Sequence, residues 1–234
     1  TLPKYLRDKC LKSGVVPLQG MYEGLLAISN SIKVAKAWKN ISEIKIPKTI
    51  SKFKKKIKTY SEYESKIILK KYGVPIPKSL ITNKQNLLRD YKKIGFPLVA
   101  KINSNNIFHK TEINGVFTNI NNEKELRQKT RKLKGSILLE KMITNPVFEI
   151  IIGIKNDNEF GPTIILGAGG IYTELFKDTT TLLLPLNKKI ILEEIKKLKF
   201  GKILLGFRGK KGADLKALVN TIIKVAKFAE KNSD

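Results

Sequence analysis

The sequence predicts an α+β or mixed α/β protein, on three observations. Short apolar stretches such as FPLVAKI (96–102) have the length of strands, and they are interspersed with stretches whose apolar residues recur at helical spacing. Glycines close several of the helical stretches. Hydrophobic residues make up 41% of the chain and charged residues 28%, which is typical of a globular protein. Strands mixed with helices in this way indicate a layered α and β architecture.

The first 60 residues predict a separate unit and a linker. GVVPLQG (14–20) is predicted as a strand, and a helix is predicted to follow it. Apolar residues recur along that helix at helical spacing, namely Leu25, Ile28, Ile32, Ala35 and Trp38. Residues 1–39 therefore resemble the last β–α unit of an α/β domain. Residues 40–60 are rich in lysine and have no clear period, which predicts a linker.

A second unit is predicted to begin at Ser61. Ser61 and Glu64 form a capping-box pattern, and Gly73 closes the helix that follows. The later helices are predicted over 83–95, 122–135, 187–198 and 213–231. The strands are predicted over 74–82, 96–102, 114–120, 136–142, 147–155 and 162–167.

The charge pattern argues against a specific nucleic-acid-binding protein. The formal net charge is +26, yet only five of the 46 basic residues are arginine. Arginine is the side chain that best forms bidentate hydrogen bonds with phosphates and bases. The lysines are spread over nearly every helical stretch. Such a chain still attracts polyphosphates and acidic partners. The lone Cys10 suits a reducing compartment, and no apolar run approaches the ~20 residues of a membrane span, so we expect a cytoplasmic protein.

His109 is the only histidine, and Lys101 and Lys110 flank it in the stretch KINSNNIFHKTEINGV. A structural role is one interpretation. A metal site is disfavoured, because the chain offers no second histidine and no nearby cysteine. A phosphoryl acceptor is the third interpretation, since a neutral imidazole is a good nucleophile for phosphorus. Lys101 ends an apolar strand, where its ammonium either snorkels to water or meets a phosphate.

Two further stretches have both a structural and a functional interpretation. In LLEKM (138–142), Glu140 could accept from an adenine amino group and the backbone near Met142 could read the ring edge, although Met142 would also suit a core. GAGG (167–170) fits neither a Walker A loop nor a G-x-G-x-x-G fingerprint. It predicts either a tight turn or a backbone that approaches a phosphate closely.

The order of blocks YGVPIP, GFPLVAKINSNNIFHKTEINGV, LLEKM, FGPTIILGAGGIYTELFKD, LLLPL and LLGFRG resembles one known family. It is similar to the ATP-grasp part of ADP-forming acyl-CoA synthetases, relatives of acetyl-CoA synthetase (ADP-forming) and succinyl-CoA synthetase. The resemblance covers roughly residues 61–230. It implies an ATP-grasp fold with lobes at 61–137 and 138–234. It also implies that residues 1–39 end a CoA-ligase-like domain.

The resemblance further implies an acid–thiol ligase that converts an acid, CoA and ATP to acyl-CoA, ADP and phosphate through acyl-phosphate and phosphohistidine intermediates. It makes His109 the catalytic, phosphorylated residue. CoA-binding and CoA-ligase domains, in the same chain or a partner subunit, would complete the enzyme and bind most of the CoA. The implied Mg²⁺ ligands would follow Asp234. The implied ATP-binding residues are Lys101, Lys110, Glu140, Met142, Gly167, Gly169, Gly170, Glu174 and Asp178.

Two positions depart from the family pattern: Asn114 stands for the first glycine of a GGV, and Leu182 stands near an expected arginine. They keep an alternative open, in which the unit belongs to a fused protein acetyltransferase or is a degenerate nucleotide-binding regulatory domain.

Overall fold

The computed structural model describes residues 2–39, 58–104 and 115–232. The chain divides into two compact units, Thr1–Lys48 and Thr49–Asp234. Within the described ranges, no helix has both the length and the apolar character that crossing a bilayer requires. The predicted linker, residues 40–60, spans the division between the two units. Most of it lies outside the described residues.

The described part of the first unit, residues 2–39, forms two helices with exposed apolar residues. These are α1 (Lys4–Lys12), which the sequence analysis missed, and the predicted α2 (Met21–Lys39). The prediction of a strand over 14–20 is wrong: these residues form no strand, since none of the described residues of this unit offers a strand to pair with. Only Gly24 of α2 is buried, and Leu25 and Trp38 are 63% and 70% exposed.

The second unit opens with α3 (Glu62–Lys71), which the predicted capping box begins. A four-stranded sheet follows, in the order β1 (Ser79–Thr82), β4 (Ile137–Lys141), β2 (Leu98–Ile102) and β3 (Val116–Ile120), with every pair antiparallel. The helices α4 (Leu87–Ile94) and α5 (Glu123–Thr130) lie in sequence between its strands.

The two faces of this sheet differ in chemistry. One face packs on α4 and α5 and contributes Leu98, Ala100, Ile137 and Leu139 to a buried apolar core. Since side chains alternate along a strand, the neighbouring residues point to the other face. That second face therefore carries Lys101 and Glu140 along with apolar residues.

A second, three-stranded antiparallel sheet has the order β5 (Ile150–Asp157), β6 (Gly161–Ala168) and β7 (Thr179–Leu183). The short helix α6 (Tyr172–Phe176) connects β6 to β7. Three helices pack on one face of the sheet: α7 (Lys188–Lys197), α8 (Gly201–Leu205) and α9 (Leu215–Lys231). The sequence analysis missed α8, a helix of one turn. The mixed α and β prediction is confirmed.

The end of α3 is anchored to α9. Tyr72 packs edge-on against Phe228, with ring centroids 5.1 Å apart. Lys224 Nζ donates to the Gly73 carbonyl at 2.7 Å, and Val74 packs against the core beneath the second sheet. The helix α3 thus connects the helices that pack on the second sheet to the first sheet.

The predicted lobe boundary at 137/138 falls inside β4. Because β4 pairs with both β1 and β2, the first sheet extends to Lys141. The division of the lobes that the resemblance implies, near residues 138–142, stays a prediction.

Gly201→Ala should destabilise the second unit. An added Cβ would lie 2.2 Å from the Ile195 carbonyl oxygen. Because this oxygen belongs to the backbone, moving it away would distort the helix end and cost free energy. We expect the free energy of unfolding to fall by about 1–3 kcal/mol in urea titrations. Gly153→Ala is the matched control, because its Cβ would meet Ile165 at an ordinary 3.8 Å. Equal urea midpoints for the two variants would contradict this packing.

Candidate functional site

The site is built on the second face of the first sheet, where Lys101 and Glu140 come together. Val99 pairs with Glu140 across β2 and β4. Lys101 lies two residues beyond Val99 and therefore on the same face as Glu140. The Lys101 ammonium is 3.4 Å from Glu140 Oε1, and the Glu140 side chain is only 9% exposed. Two residues that the sequence singled out separately are thus neighbours.

Glu62 and Lys66 of α3 complete a ring of four alternating charges with these two residues. Lys101 Nζ donates to Glu62 Oε1 at 2.6 Å, and Lys66 Nζ donates to the same oxygen at 2.9 Å. Lys66 also forms a short ion pair with the other oxygen of Glu140. Each ammonium of the charge ring thus contacts both carboxylates, which is how partly buried charges remain stable.

The start of α3 sets the position of Glu62. The Ser61 hydroxyl accepts from the Glu64 amide at 3.3 Å, and Glu64 Oε2 accepts from the Ser61 amide at 2.7 Å. Ser61 is only 2% exposed. Glu62 is the first residue of the helix, directly after the N-cap Ser61, and Lys66 lies one turn further on the same side.

The charge ring lowers the pKa of Glu62 to about 2, well below its usual 4.5. Burial opposes ionisation of this carboxyl, but the hydrogen bonds and charges of Lys101 and Lys66 outweigh burial. Burial likewise opposes the charge of Lys66, but Glu140 and Glu62 raise the pKa of its ammonium above the usual 10.5. Glu62 and Lys66 are therefore both charged at neutral pH.

Met142 follows β4, and its backbone amide is occupied. It donates to the Pro97 carbonyl at 3.1 Å, and the Met142 sulfur accepts from the Asn119 amide at 3.3 Å. This amide does not point at an open position in the described structure. Recognition of adenine by the backbone near Met142 stays a prediction. Because the Met142 amide is occupied, other backbone groups nearby would have to form that contact.

The three glycines of the GAGG stretch differ in their surroundings. Gly167 lies inside β6, where a Cβ would come 2.7 Å from Thr179 Cγ2. Gly169 donates to the Glu149 carbonyl at 2.8 Å. Gly170 has φ +58°, and a Cβ there would lie 1.7 Å from Glu149 Oε2. Gly170 is therefore favoured by its left-handed backbone conformation, whereas the exposed Glu149 side chain could move away from an added Cβ.

The residues after this turn have different environments. Glu174 is exposed on α6. Asp178 accepts from the Lys199 amide, which ties the start of β7 to the turn before α8. Leu182 is 2% exposed and packs in the core under the second sheet. The departure at Leu182 thus concerns a core position, whereas Thr181 and Leu183 point to the opposite face.

His109, Lys110 and Asn114 lie outside the described residues. Among the residues that are described, no three His, Cys, Asp or Glu side chains cluster in a way that could hold a metal ion. These residues do not by themselves form a Mg²⁺ site. Mg²⁺ commonly takes one or two carboxylates together with substrate phosphates, so the predicted metal ligands stay a prediction.

Comparison with known protein families identifies the family of this chain. The ATP-grasp domain family matches residues 52–234. The chain belongs to the ATP-grasp family. Subunit beta of acetate–CoA ligase (ADP-forming) I from Pyrococcus furiosus is 34% identical over 194 residues, which cover 77% of this chain and 83% of that protein. The 4-hydroxybutyrate–CoA ligase (ADP-forming) of Nitrosopumilus maritimus is 35% identical over 84% of this chain but only 29% of its own length.

Solved structures agree with these sequence relatives. A dinucleotide-forming acetyl-coenzyme A synthetase 1 from Ca. Korarchaeum cryptofilum, in complex with coenzyme A and Ca-AMPCP, has a TM-score of 0.68 and 31% identity, and the match covers 75% of this chain and 82% of that chain. Its complex with coenzyme A and Mg-AMPPCP has a TM-score of 0.65 and 32% identity over 74% and 80%. The predicted ATP-grasp fold and family resemblance are confirmed. Both relatives are ligases, which supports the synthetase interpretation over the acetyltransferase or regulatory alternative.

Sequence reasoning missed Glu62, Lys66 and Glu149 in this ATP-grasp chain. The spacing of Glu62 and Lys66 is that of a helical ion pair, which the sequence does display. Nothing local shows that this pair meets Lys101, 39 residues after Glu62, because the contact exists only once α3 packs on the sheet. Glu149 likewise meets Gly170 only through the pairing of β5 with β6.

The low pKa of Glu62 predicts a defined pH dependence of stability. Since folding lowers this pKa, ionised Glu62 contributes its full stabilisation above about pH 4.5, and the contribution is lost as the pH falls towards about 2. Glu62→Gln lacks this contribution at every pH. Urea midpoints of the two proteins should therefore differ most near pH 6 and converge as the pH falls from about 4.5 towards about 2. A difference that stays constant with pH would rule out the charge ring as its source.

Proposed function

We propose that this chain is the ATP-grasp part of an ADP-forming acyl-CoA synthetase, an acid–thiol ligase that interconverts acid, CoA and ATP with acyl-CoA, ADP and phosphate. The observation that carries the proposal is Lys101, held beside Glu140 on the face of the first sheet opposite its core, in a chain of the ATP-grasp family. The names of the Pyrococcus furiosus and Nitrosopumilus maritimus relatives, a subunit of one ADP-forming CoA ligase and a second such ligase, support it.

The chemistry assigned to Lys101 is electrostatic. An ammonium fixed at the end of a strand can neutralise charge on the β- and γ-phosphates as a phosphoryl group moves. Pairing with Glu62 and Glu140 holds this ammonium extended from the sheet. When bound with the nucleotide, Mg²⁺ would supply further neutralisation of the phosphates.

His109 is the proposed phosphoryl acceptor. In the direction of ATP use, an imidazole nitrogen attacks the γ-phosphorus, the bond from that phosphorus to the bridging oxygen breaks, and ADP leaves. A shuttle histidine on another domain then receives the phosphoryl group and delivers it to the carboxylate, and the CoA thiol displaces phosphate from the acyl phosphate. Lys101 and Lys110 flank His109 in the sequence and support this role by their charge.

The partners follow from what this chain leaves to other domains. We propose that CoA-binding and CoA-ligase domains, in the same polypeptide or a partner subunit, bind CoA and the acid. The exposed apolar residues of α2 support a packing role against such a domain, because the described first unit has almost no buried residues of its own. The single cysteine supports a reducing, cytoplasmic setting.

Lys101→Met tests the nucleotide site. We expect Mg-ADP to raise the melting temperature of the unaltered protein by mass action, and we expect the variant to bind Mg-ADP at least about tenfold more weakly. Lys129→Met is the control, since Lys129 lies on α5, beneath the core face of the sheet. Equal affinity of the Lys101 variant and the unaltered protein would remove Lys101 from the site.

His109→Asn tests the phosphoryl transfer. The variant should keep the thermal shift with Mg-ADP, yet acquire no label from γ-labelled ATP and lose turnover in the complete enzyme. Because His109 is the only histidine, a phosphohistidine in this chain can form nowhere else. Labelling of the variant at the level of the unaltered protein would refute the assignment.

A further inference from the structure

Lys101 is already paired with two carboxylates in this structure. Its ammonium contacts Glu62 at 2.6 Å and Glu140 at 3.4 Å, and Lys66 contacts the same two carboxylates. The four charges of the ring sum to zero. Because the ring has no net charge, Lys101 can neutralise a phosphate, its role in the proposed function, only when one of these carboxylates moves away from it.

Glu62 is the carboxylate best placed to yield. Its hydrogen bond to Lys101 is the shorter of the two, so Glu62 holds the position beside the ammonium that a phosphate oxygen would take. Its side chain is 27% exposed, against 9% for Glu140, so water can solvate it after the exchange. It also keeps Lys66, one helical turn away on α3, as a counter-ion. Glu140 is held in the middle of the first sheet by β1 and β2.

We propose that Glu62 is a positioning residue that holds the Lys101 ammonium in the empty site and is displaced from it by the phosphate of the nucleotide. This inference rests on the proposed function of Lys101. The carboxylate has the charge and the acceptor geometry of one phosphate edge, so it keeps the lysine extended until the ligand arrives. The competition weakens binding of every ligand that has to displace it.

Ligand charge separates this role from a purely structural one. Mg-ADP must displace Glu62, whereas adenosine has no phosphate and leaves the charge ring intact. Neutralising Glu62 should therefore tighten Mg-ADP and leave adenosine unchanged. A general loosening of the fold would weaken both ligands or neither.

The experiment is calorimetric titration of the full-length protein with Mg-ADP and with adenosine. Glu62→Gln keeps the shape and a hydrogen-bond acceptor but removes the charge. We expect it to bind Mg-ADP about three- to tenfold more tightly, from the loss of one nearby negative charge. Glu123→Gln is the matched control, because it adds the same unit to the net charge from α5, on the core side of the sheet. Its affinity for Mg-ADP should stay unchanged.

Lys66→Gln provides a test of opposite sign that does not depend on Glu62→Gln folding well. Without Lys66, Lys101 is the one cation of the ring that both Glu62 and Glu140 contact. The phosphate of the nucleotide then competes less well with these carboxylates for Lys101. Mg-ADP should then bind about threefold or more weakly, with adenosine unchanged. Lys129→Gln, which removes a lysine from α5, controls for net charge.

The outcomes separate the two ideas. Unchanged or weaker Mg-ADP binding by Glu62→Gln, with the unaltered protein binding normally, overturns the displacement of Glu62 and leaves the proposed function standing. Parallel changes for ADP and adenosine overturn it as well. Absence of Mg-ADP binding by the unaltered protein would instead refute the proposed function, and this inference with it.

Discussion

The charge ring of Glu62, Lys66, Lys101 and Glu140 is the interaction on which the candidate site depends. Each of its charges would be costly where it lies if it stood alone, since the four side chains are 9–27% exposed. Alternation of sign around the ring removes that cost and holds each side chain in one position. The result is a cation held in a fixed place on this face of the sheet.

The fold provides this arrangement through the alternation of side chains along strands. The same two strands that send Leu98, Ala100 and Leu139 into the core send Lys101 and Glu140 to the other face. α3 then brings two charges of complementary sign onto that face. Because the far end of α3 is anchored to α9 beneath the second sheet, the site and the helical layer of the other sheet share one rigid element.

Local patterns were enough to predict much of this fold. The capping box at Ser61 and Glu64, the long helix α9 and most strands are predictable because periodicity and caps act over a few residues. The failures have one cause in common. Residues 14–20 have strand-like composition but no strand to pair with among the described residues, and α8 has only one turn. Each depends on contacts distant in sequence.

By itself, the sequence determined the family, the mixed α and β class, and the candidate residues Lys101 and Glu140. Motif blocks and short-range patterns involve residues that are close together in the sequence, so they can be recognised without the fold. Only the tertiary structure decided that these two residues meet, that Glu62 and Lys66 join them, and that Asp178 and the Met142 amide are engaged by the fold's own backbone. The physical reason is that ion pairing and hydrogen bonding depend on distance in space, and strand pairing and helix packing set that distance.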